Sequence, residues 1–352
     1  MDGVWQKCMI YGTVVGLGAL LTLFTFDTWE TVLIVTLLMT MISYLFLYSV
    51  DKLTPYQVTT VSEGFVSEPR SHDAAAESKY EWLGNDDLFD DFYASVFTKL
   101  TQNENLIQAE AAICMEEFLK HVPEKSQMKV LDAACGIGIA SCAFAKLGAG
   151  HVVGIDKSQP MIRYAKGTTL PGTTLTPTQK QDVEFRTADL IGPGAASAAE
   201  FNCACLLYFS VYYFQDLETL LRNMSLWVQP GGCLAIEVVN KYKFDPVLDS
   251  SNPWVGVSPQ RYMKDRLTKS KAVFDQFEYD GHFELMDPKA EFRETFRFKD
   301  GSMRRQKHRL YMPSMEEITK RAQTCGWRYT KYVDLMPLSF SYGYLLFFER
   351  SA

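Results

Sequence analysis

The sequence predicts an α/β fold: a parallel sheet covered by helices on both faces, with an antiparallel β insertion after its fifth strand and a membrane-crossing helical hairpin before it. Three observations predict this. Two uncharged apolar runs stand near the amino end, at 8–26 and 31–50. From Met128 onward, short apolar strand runs alternate with helical spacing, which is how βα units read. Between 241 and 312 that rhythm stops and a period of 2 replaces it.

The chain has 352 residues, a length of roughly two domains at about 150 residues each. Apolar residues make up 47% and charged residues 22%, which excludes wholesale disorder. The net charge of −7 removes the electrostatic case for nucleic-acid binding by the whole chain. Eight cysteines form no CxxC; a zinc ribbon is not indicated, and reduced, buried thiols are expected. No metal site is expected.

Each apolar run is long enough to cross a bilayer core of about 30 Å as a helix. Asp27-Thr28-Trp29-Glu30 joins them as a tight turn, and Gly12 and Gly16 offer a GxxxG packing face. A cleaved signal peptide fits less well, because Lys7 is its only basic residue and no small-residue cleavage site is clear. Lys7 and Lys52 flank the outer ends and the turn is acidic, so both ends are expected in the cytosol with the domain that follows. The expected organisation is a hairpin over 1–52, a linker over 53–78 and a globular domain over 79–352, with the insertion at 241–312. The linker holds Pro55, Gly64 and Pro69 and no sustained period.

Residues 86–100 and 104–120 carry helical spacing. Strands are expected at 129–132, 151–156, 183–186, 203–209 and 233–239, with helices from Ile137, from a Ser158 cap and over 216–227. In the insertion, 274–285, 291–298 and 303–311 alternate, and Lys299-Asp300-Gly301 reads as a hairpin turn. Ser314 and Glu317 form a capping box for a helix that Gly326 ends. Strands at 327–334 and 342–349 close the chain.

The chemistry concentrates at Val130-Leu131-Asp132-Ala133-Ala134-Cys135-Gly136-Ile137-Gly138, which leaves a strand and opens a helix. Glycines there let a ligand approach the backbone and the free N–H groups of the helix. Asp156 ends the next strand, where a carboxylate can receive the two hydroxyls of a ribose. A dinucleotide fold would want a third glycine where Ser141 stands. The extra acid Asp132 instead suits a cofactor with an amino-acid tail and a sulfonium.

On these residues the sequence resembles the class I S-adenosylmethionine-dependent methyltransferases, over about residues 80–350. Val153 to Ser158 is similar to the family's second motif, Thr187-Ala188-Asp189-Leu190 to the adenine segment, Leu207-Tyr208 to the sulfonium pocket, and Pro230-Gly231-Gly232 to the feature before strand five. The resemblance implies a Rossmann-like seven-stranded sheet with an antiparallel last strand. It implies S-adenosyl-L-methionine as cofactor, held by Asp132, Ala134, Gly136, Gly138, Asp156, Lys157, Met161, Asp189, Leu190 and Leu207. Ala134 stands where a glycine is common, and Asn202 is near the place of a missing acid at the start of strand four. Asp91 to Ala94, the Tyr212-Tyr213 pair and the insertion look like small-molecule N- or O-methyltransferases. The whole chain, with its anchor and Lys243 to Pro246, looks most like membrane-anchored methyltransferases predicted in large DNA viruses and marine microbial eukaryotes.

Methyl transfer needs alignment above all, with a general base where the acceptor is protonated. Tyr93, on a helix before the sheet, and Tyr212, after strand four, are the candidate positioning residues; each also reads as a core aromatic. His308 reads as structural or solvated before it reads as a base, His151 as structural, and Asn240 and Lys241 as a solvated strand exit. Arg305, Lys307 and Arg309 share one strand face beside Arg304. That face is either simply exposed or touches anionic lipid headgroups, and Lys264, Arg266, Lys269 and Lys271 extend it. The functional expectation is a membrane-tethered methyltransferase acting on a small molecule or lipid headgroup, with no nucleic acid. The alternatives are a non-catalytic adenosyl-binding recruitment module and a nicotinamide-dependent reductase.

Overall fold

The structure is a computed structural model that describes residues 81–247 and 266–351. The apolar runs, the linker and Lys264 lie outside the described residues. Among the described residues no helix is long and apolar enough to cross a membrane.

In chain order the elements used below are β1 (Trp82–Leu83), α1 (Asp91–Thr101), α2 (Glu104–His121), β2 (Lys129–Ala133), α3 (Ile139–Lys146), β3 (His151–Asp156), α4 (Gln159–Tyr164), β4 (Val183–Thr187), β5 (Phe201–Leu206), α5 (Leu217–Trp227), β6 (Val228–Val239), β7 (Lys269–Val273), β8 (Phe277–Met286), β9 (Lys289–Phe298), β10 (Met303–Tyr311), α6 (Met315–Thr324), β11 (Trp327–Asp334) and β12 (Gly343–Arg350). They form two sheets. The first has seven strands in the order β11-β12-β6-β5-β2-β3-β4, and the second has five in the order β1-β10-β9-β8-β7.

In the first sheet β2 through β6 pair in parallel, and β12 runs antiparallel to both of its neighbours. Its inner strands β2, β3, β5 and β6 are mostly apolar because both faces are covered. Leu131, Val153, Ala204, Leu206, Leu234 and Ile236 are fully buried. α5 lays Leu217, Leu220, Leu221, Met224 and Trp227 into this core, and burying one such leucine is worth about 1.5–3 kcal/mol. α2 and α3 pack together, with the Phe118 and Phe144 rings stacked at 5.9 Å. Asn202 accepts from Lys129 N and donates to Gln127 O, pinning the start of β2 to β5.

The caps agree with the sequence. Ser158 accepts from Met161 N, Asp216 from Thr219 N, and Ser314 with Glu317 closes a full capping box. Among the boundaries that move, two have a plain backbone cause. The helix expected from residue 86 begins at Asp91, because Asp90 caps it through Tyr93 N and the preceding residues form a turn on Gly84 O. The strand expected to run to Phe209 stops at Leu206, since Tyr208 and Phe209 take φ of 51° and 58°, a left-handed backbone that a strand cannot continue.

The insertion is antiparallel as expected, turning at Asp300-Gly301 with Glu294 opposite Gln306. β1, too short to read from sequence, adds to β10 in parallel, and the Arg305 guanidinium stacks 4.0 Å from the Trp82 ring centre. Arg305, Lys307 and Arg309 do share the outer face, while Gln306, His308 and Leu310 point inward. The expected extension of that basic row does not form. Lys269 and Lys271 are on β7 at the opposite edge of the sheet. Arg266 is half-buried, stacked on Phe244 and Phe283 and donating to Lys241 O and Phe244 O.

β3 enters the sheet beneath the turn before β2, where a Cβ on Gly150 would stand 1.9 Å from Ser126 O. Gly150→Ala is expected to destabilise the protein by about 1–3 kcal/mol, as overpacking against backbone does. Urea unfolding followed by tryptophan fluorescence checks this.

Candidate active site

The parallel strands reverse their order at β2, whose neighbours are β3 on one side and β5 on the other. Ligands in open α/β sheets bind outside the carboxyl ends at such a point. Two connections meet there: the glycine loop after β2 and the Leu207–Phe214 turn after β5. Ser210 Oγ lies 3.5 Å from Ala134 O and joins them.

The glycine loop is held by backbone geometry. Ala134, Gly136 and Gly138 have φ of 55°, 53° and 81°. At Gly138 a Cβ would meet the Phe185 ring at 2.5 Å, so only glycine fits. At Gly136 nothing lies within 4 Å of that position, which leaves open space beside the loop. Ala134 tolerates the left-handed backbone at a cost of about 1–2 kcal/mol.

Asp156 organises the loop. Its Oδ2 accepts from Gly136 N at 2.9 Å and its Oδ1 from Ser158 N at 2.8 Å. Burial pushes its carboxyl up, and those two N–H groups and Lys157 oppose the rise. Each oxygen keeps a lone pair for a ribose hydroxyl. Ala188 N donates to Asp156 O and brings the end of β4, with Asp189, to the same edge. Met161 is buried in the first turn of α4, directly after the Ser158 cap. The open space at Gly136, the anchored carboxylate and the N-terminus of α3 fit an adenosyl cofactor.

Other expected contacts take different roles. Asp132 is turned inward, accepting from Ser141 Oγ at 2.5 Å, and burial raises its pKa to about 6. It braces the loop from behind, and Ser141 is its partner rather than a vacant third glycine. Lys157 reaches away to Asp86 at 2.5 Å. Leu190 packs into the sheet core, and its carbonyl is capped by Asn223. Asp189 is exposed, its Oδ1 closing a turn on Ile191 N. Leu207 is buried, with its carbonyl accepting from Ser210 Oγ.

Of the tyrosine pair, Tyr212 is the core residue. It is fully buried, and its hydroxyl accepts from Val239 N at 2.8 Å. Tyr213 instead faces a polar row on the inner side of the second sheet. Its OH is 2.6 Å from His308 Nδ1, and His308 Nε2 is 2.5 Å from Glu294 Oε2. A carboxylate only accepts, so Nε2 carries hydrogen and Nδ1 accepts from Tyr213. Tyr279 and Gln306 also donate to Glu294, at 2.8 and 2.5 Å. Burial pushes the Glu294 carboxyl up, but the neighbouring His308 and these donors outweigh it and hold it below the usual range. Tyr93 joins from α1, 3.4 Å from His308 Nε2, its phenol pushed up by burial and by Glu294. Phe89 packs against Tyr93, Tyr213 and His308, and its carbonyl accepts from Ser158 Oγ at 2.6 Å. The row therefore lies one residue away from the Asp156 side of the cofactor cradle.

Glu294, Tyr279 and Phe89 were not expected from sequence, and of the Tyr212-Tyr213 pair the sequence favoured Tyr212. One signal was available: about the turn at Asp300-Gly301, a glutamate on an apolar strand face falls opposite Gln306, one pleat from His308. His151 is structural, beside Glu184, and Lys241 is spent on Asp287 and Met312 O rather than at a strand mouth. Asn240 caps a turn through Tyr242 N. Among the described residues no group of side chains could hold a metal ion.

Residues 130–232 match the family described as "Methyltransferase domain". That match runs from β2 into β6 of the first sheet. A wheat (Triticum aestivum) phosphoethanolamine N-methyltransferase 1 is 31% identical over 123 residues, 34% of this chain and 22% of that protein. A ubiquinone biosynthesis O-methyltransferase of Coxiella burnetii is 31% identical over 126 residues, 35% of this chain and 50% of that protein. The chain thus spans half or less of the length of these curated relatives. The fold is that of a solved S-adenosylmethionine-dependent methyltransferase from Clostridium acetobutylicum, at TM-score 0.52 and 15% identity, covering 69% of this chain and 91% of that one.

Behind the β5 turn lies a buried acid pair. Glu110 of α2 and Glu237 of β6 are at most 1% exposed, and Glu237 accepts from Tyr208 N. Burial raises both carboxyls, Glu237 to about 7; Glu237 raises Glu110 further, while the hydrogen bond with Glu110 pulls Glu237 back down. Because these native values exceed the unfolded ones, stability falls as pH rises from the ordinary carboxylate range to about 7. Glu110→Gln is expected to melt higher than wild type at pH 8 and about equal to it at pH 5, as thermal scans would show. Tyr212→Phe leaves Val239 N unpaired in the core and is expected to cost about 1–3 kcal/mol in urea unfolding.

Proposed function

We propose that this protein is an S-adenosylmethionine-dependent methyltransferase acting on nitrogen or oxygen of a small molecule or lipid headgroup. The observation that carries the reading is Asp156, aimed by Gly136 N and Ser158 N at the strand-order reversal beside an open glycine loop. The match over 130–232 supports it, as do relatives whose names place them on phosphoethanolamine and on ubiquinone biosynthesis.

S-adenosylmethionine supplies a methyl group already activated on a sulfonium, which an acceptor lone pair displaces in line while the carbon–sulfur electron pair stays on sulfur. The chain's own work is binding and alignment, the main source of rate in such a reaction. Asp156 would take the ribose hydroxyls, Met161 and the β4 end the adenine, and the loop backbone at Ala134 to Gly138 the amino-acid tail. Tyr93 and Tyr213 lie on the acceptor side, and Asp132 with Ser141 keeps the loop from collapsing into the open space. The runs 8–26 and 31–50 are read as a membrane tether that leaves the domain in the cytosol, which would hold the enzyme near a membrane-borne acceptor.

Calorimetric titration of the full chain in detergent micelles with S-adenosylmethionine, S-adenosylhomocysteine and NADH tests the reading. Both adenosyl ligands are expected to bind and NADH is not. Asp156→Asn should weaken the adenosyl ligands by about 10–100-fold, the worth of hydrogen bonds to a charged group. Binding of NADH alone, or of none of the three, would overturn it.

A further inference from the structure

Resting on that reading, we propose that the acceptor is a small amine, received as its cation in an aromatic chamber backed by the Glu294–His308–Tyr213 row. The row is costly to keep. Glu294 is 1% and His308 3% exposed, and burying such a pair rarely stabilises a fold by itself. The sheet gains nothing here that an apolar pair would not supply, so the placement calls for a use.

The surroundings state what that use is. Phe89, Phe97, Tyr208 and Tyr213 are half-buried rings around the row, with Tyr93 beneath them. Ring faces and a buried carboxylate both favour a cation. The guanidinium of Arg304, one strand position from the row, is already spent on Asp90 and Leu88 O. An anionic acceptor group would meet Glu294 without a counter-charge from Arg304.

Proton chemistry separates an amine from an aliphatic hydroxyl. An alkyl ammonium releases its proton only about 4 pH units above an ordinary imidazole, whereas a hydroxyl, taken as water, does so about 9 units above. A row ending in histidine and glutamate suits the first and not the second. One N–H bond of the ammonium breaks, and its proton goes to Tyr213 Oη. The proton that Tyr213 held passes along its 2.6 Å hydrogen bond to His308 Nδ1. The nitrogen keeps the electron pair and becomes the nucleophile. Glu294, on Nε2, stabilises the imidazolium that results.

The chamber meets the cofactor cradle through Phe89 and Ser158 on one wall and through Ser210 and Ala134 on the other. A probe with an ammonium at the methyl position therefore reads it without knowledge of the natural acceptor. Sinefungin is such a probe, and S-adenosylhomocysteine is its uncharged control. Calorimetry on the full chain in micelles is expected to show sinefungin binding about tenfold more tightly than S-adenosylhomocysteine. Glu294→Gln and Tyr213→Phe should cut that preference to threefold or less (roughly RT ln 3,) while S-adenosylhomocysteine affinity stays within about threefold of wild type. That retained affinity also shows that the variants fold. Equal binding of the two ligands by wild type, or a preference that survives in Tyr213→Phe, would overturn the proposal. If wild type binds neither ligand, the methyltransferase reading itself fails instead.

Discussion

Strand β2 has β3 on one side and β5 on the other, so the chain leaves the carboxyl edge of the sheet in two opposite directions and opens a crevice between them. Every feature of the candidate site follows from how that crevice is lined. Asp156 closes its β3 side by holding Gly136 N, and Ser210 ties its β5 side back to Ala134. Remove the crossing and the glycine loop, the carboxylate and the tyrosine turn lose their common address.

The backbone strain is concentrated in the same place. Ala134, Tyr208 and Phe209 all hold left-handed angles without being glycine. Such residues cost energy that the surroundings must repay. For Ala134 the repayment is the Asp132–Ser141 brace and Cys135 N bonding to Ile155 O. For Tyr208 it is Glu237, a buried acid that burial raises to about 7 beside a second acid, Glu110. The glycine loop and the turn after β5 are thus each supported by a buried carboxylate placed behind them.

The second sheet acts as the roof. α1 is clamped to it by Arg304 on Asp90 and by Phe92 against Phe277, Phe296 and Phe298. Toward the first sheet α1 is joined through exposed ion pairs, Arg163 with Asp91 and, just before the helix, Lys157 with Asp86. Exposed pairs of this kind hold weakly, at about 0–1 kcal/mol each. The aromatic clamp is the stronger of these attachments, so α1 is held chiefly by the roof.

The seven-stranded sheet, its caps and its glycine loop were legible in the residues, because apolar runs, capping residues and glycines act within a few positions of themselves. Asp156, Gly136 and Gly138 could be placed together at one strand edge for that reason. Side-chain direction was not legible. Tyr212 and Tyr213 are neighbours in one short turn, and only its docking on Val239 decides which phenol enters the core and which meets His308. Leu190 and Lys157 sit on the right loops, yet a packed core and an aspartate 71 positions away draw their side chains off. The polar row joins Tyr93, Tyr213, Glu294 and His308 across as many as 215 positions. Sequence alone determined which local pieces form and which loop is the candidate cradle; long-range packing decided which side chains gather beside it, since burial chooses partners by space and not by spacing.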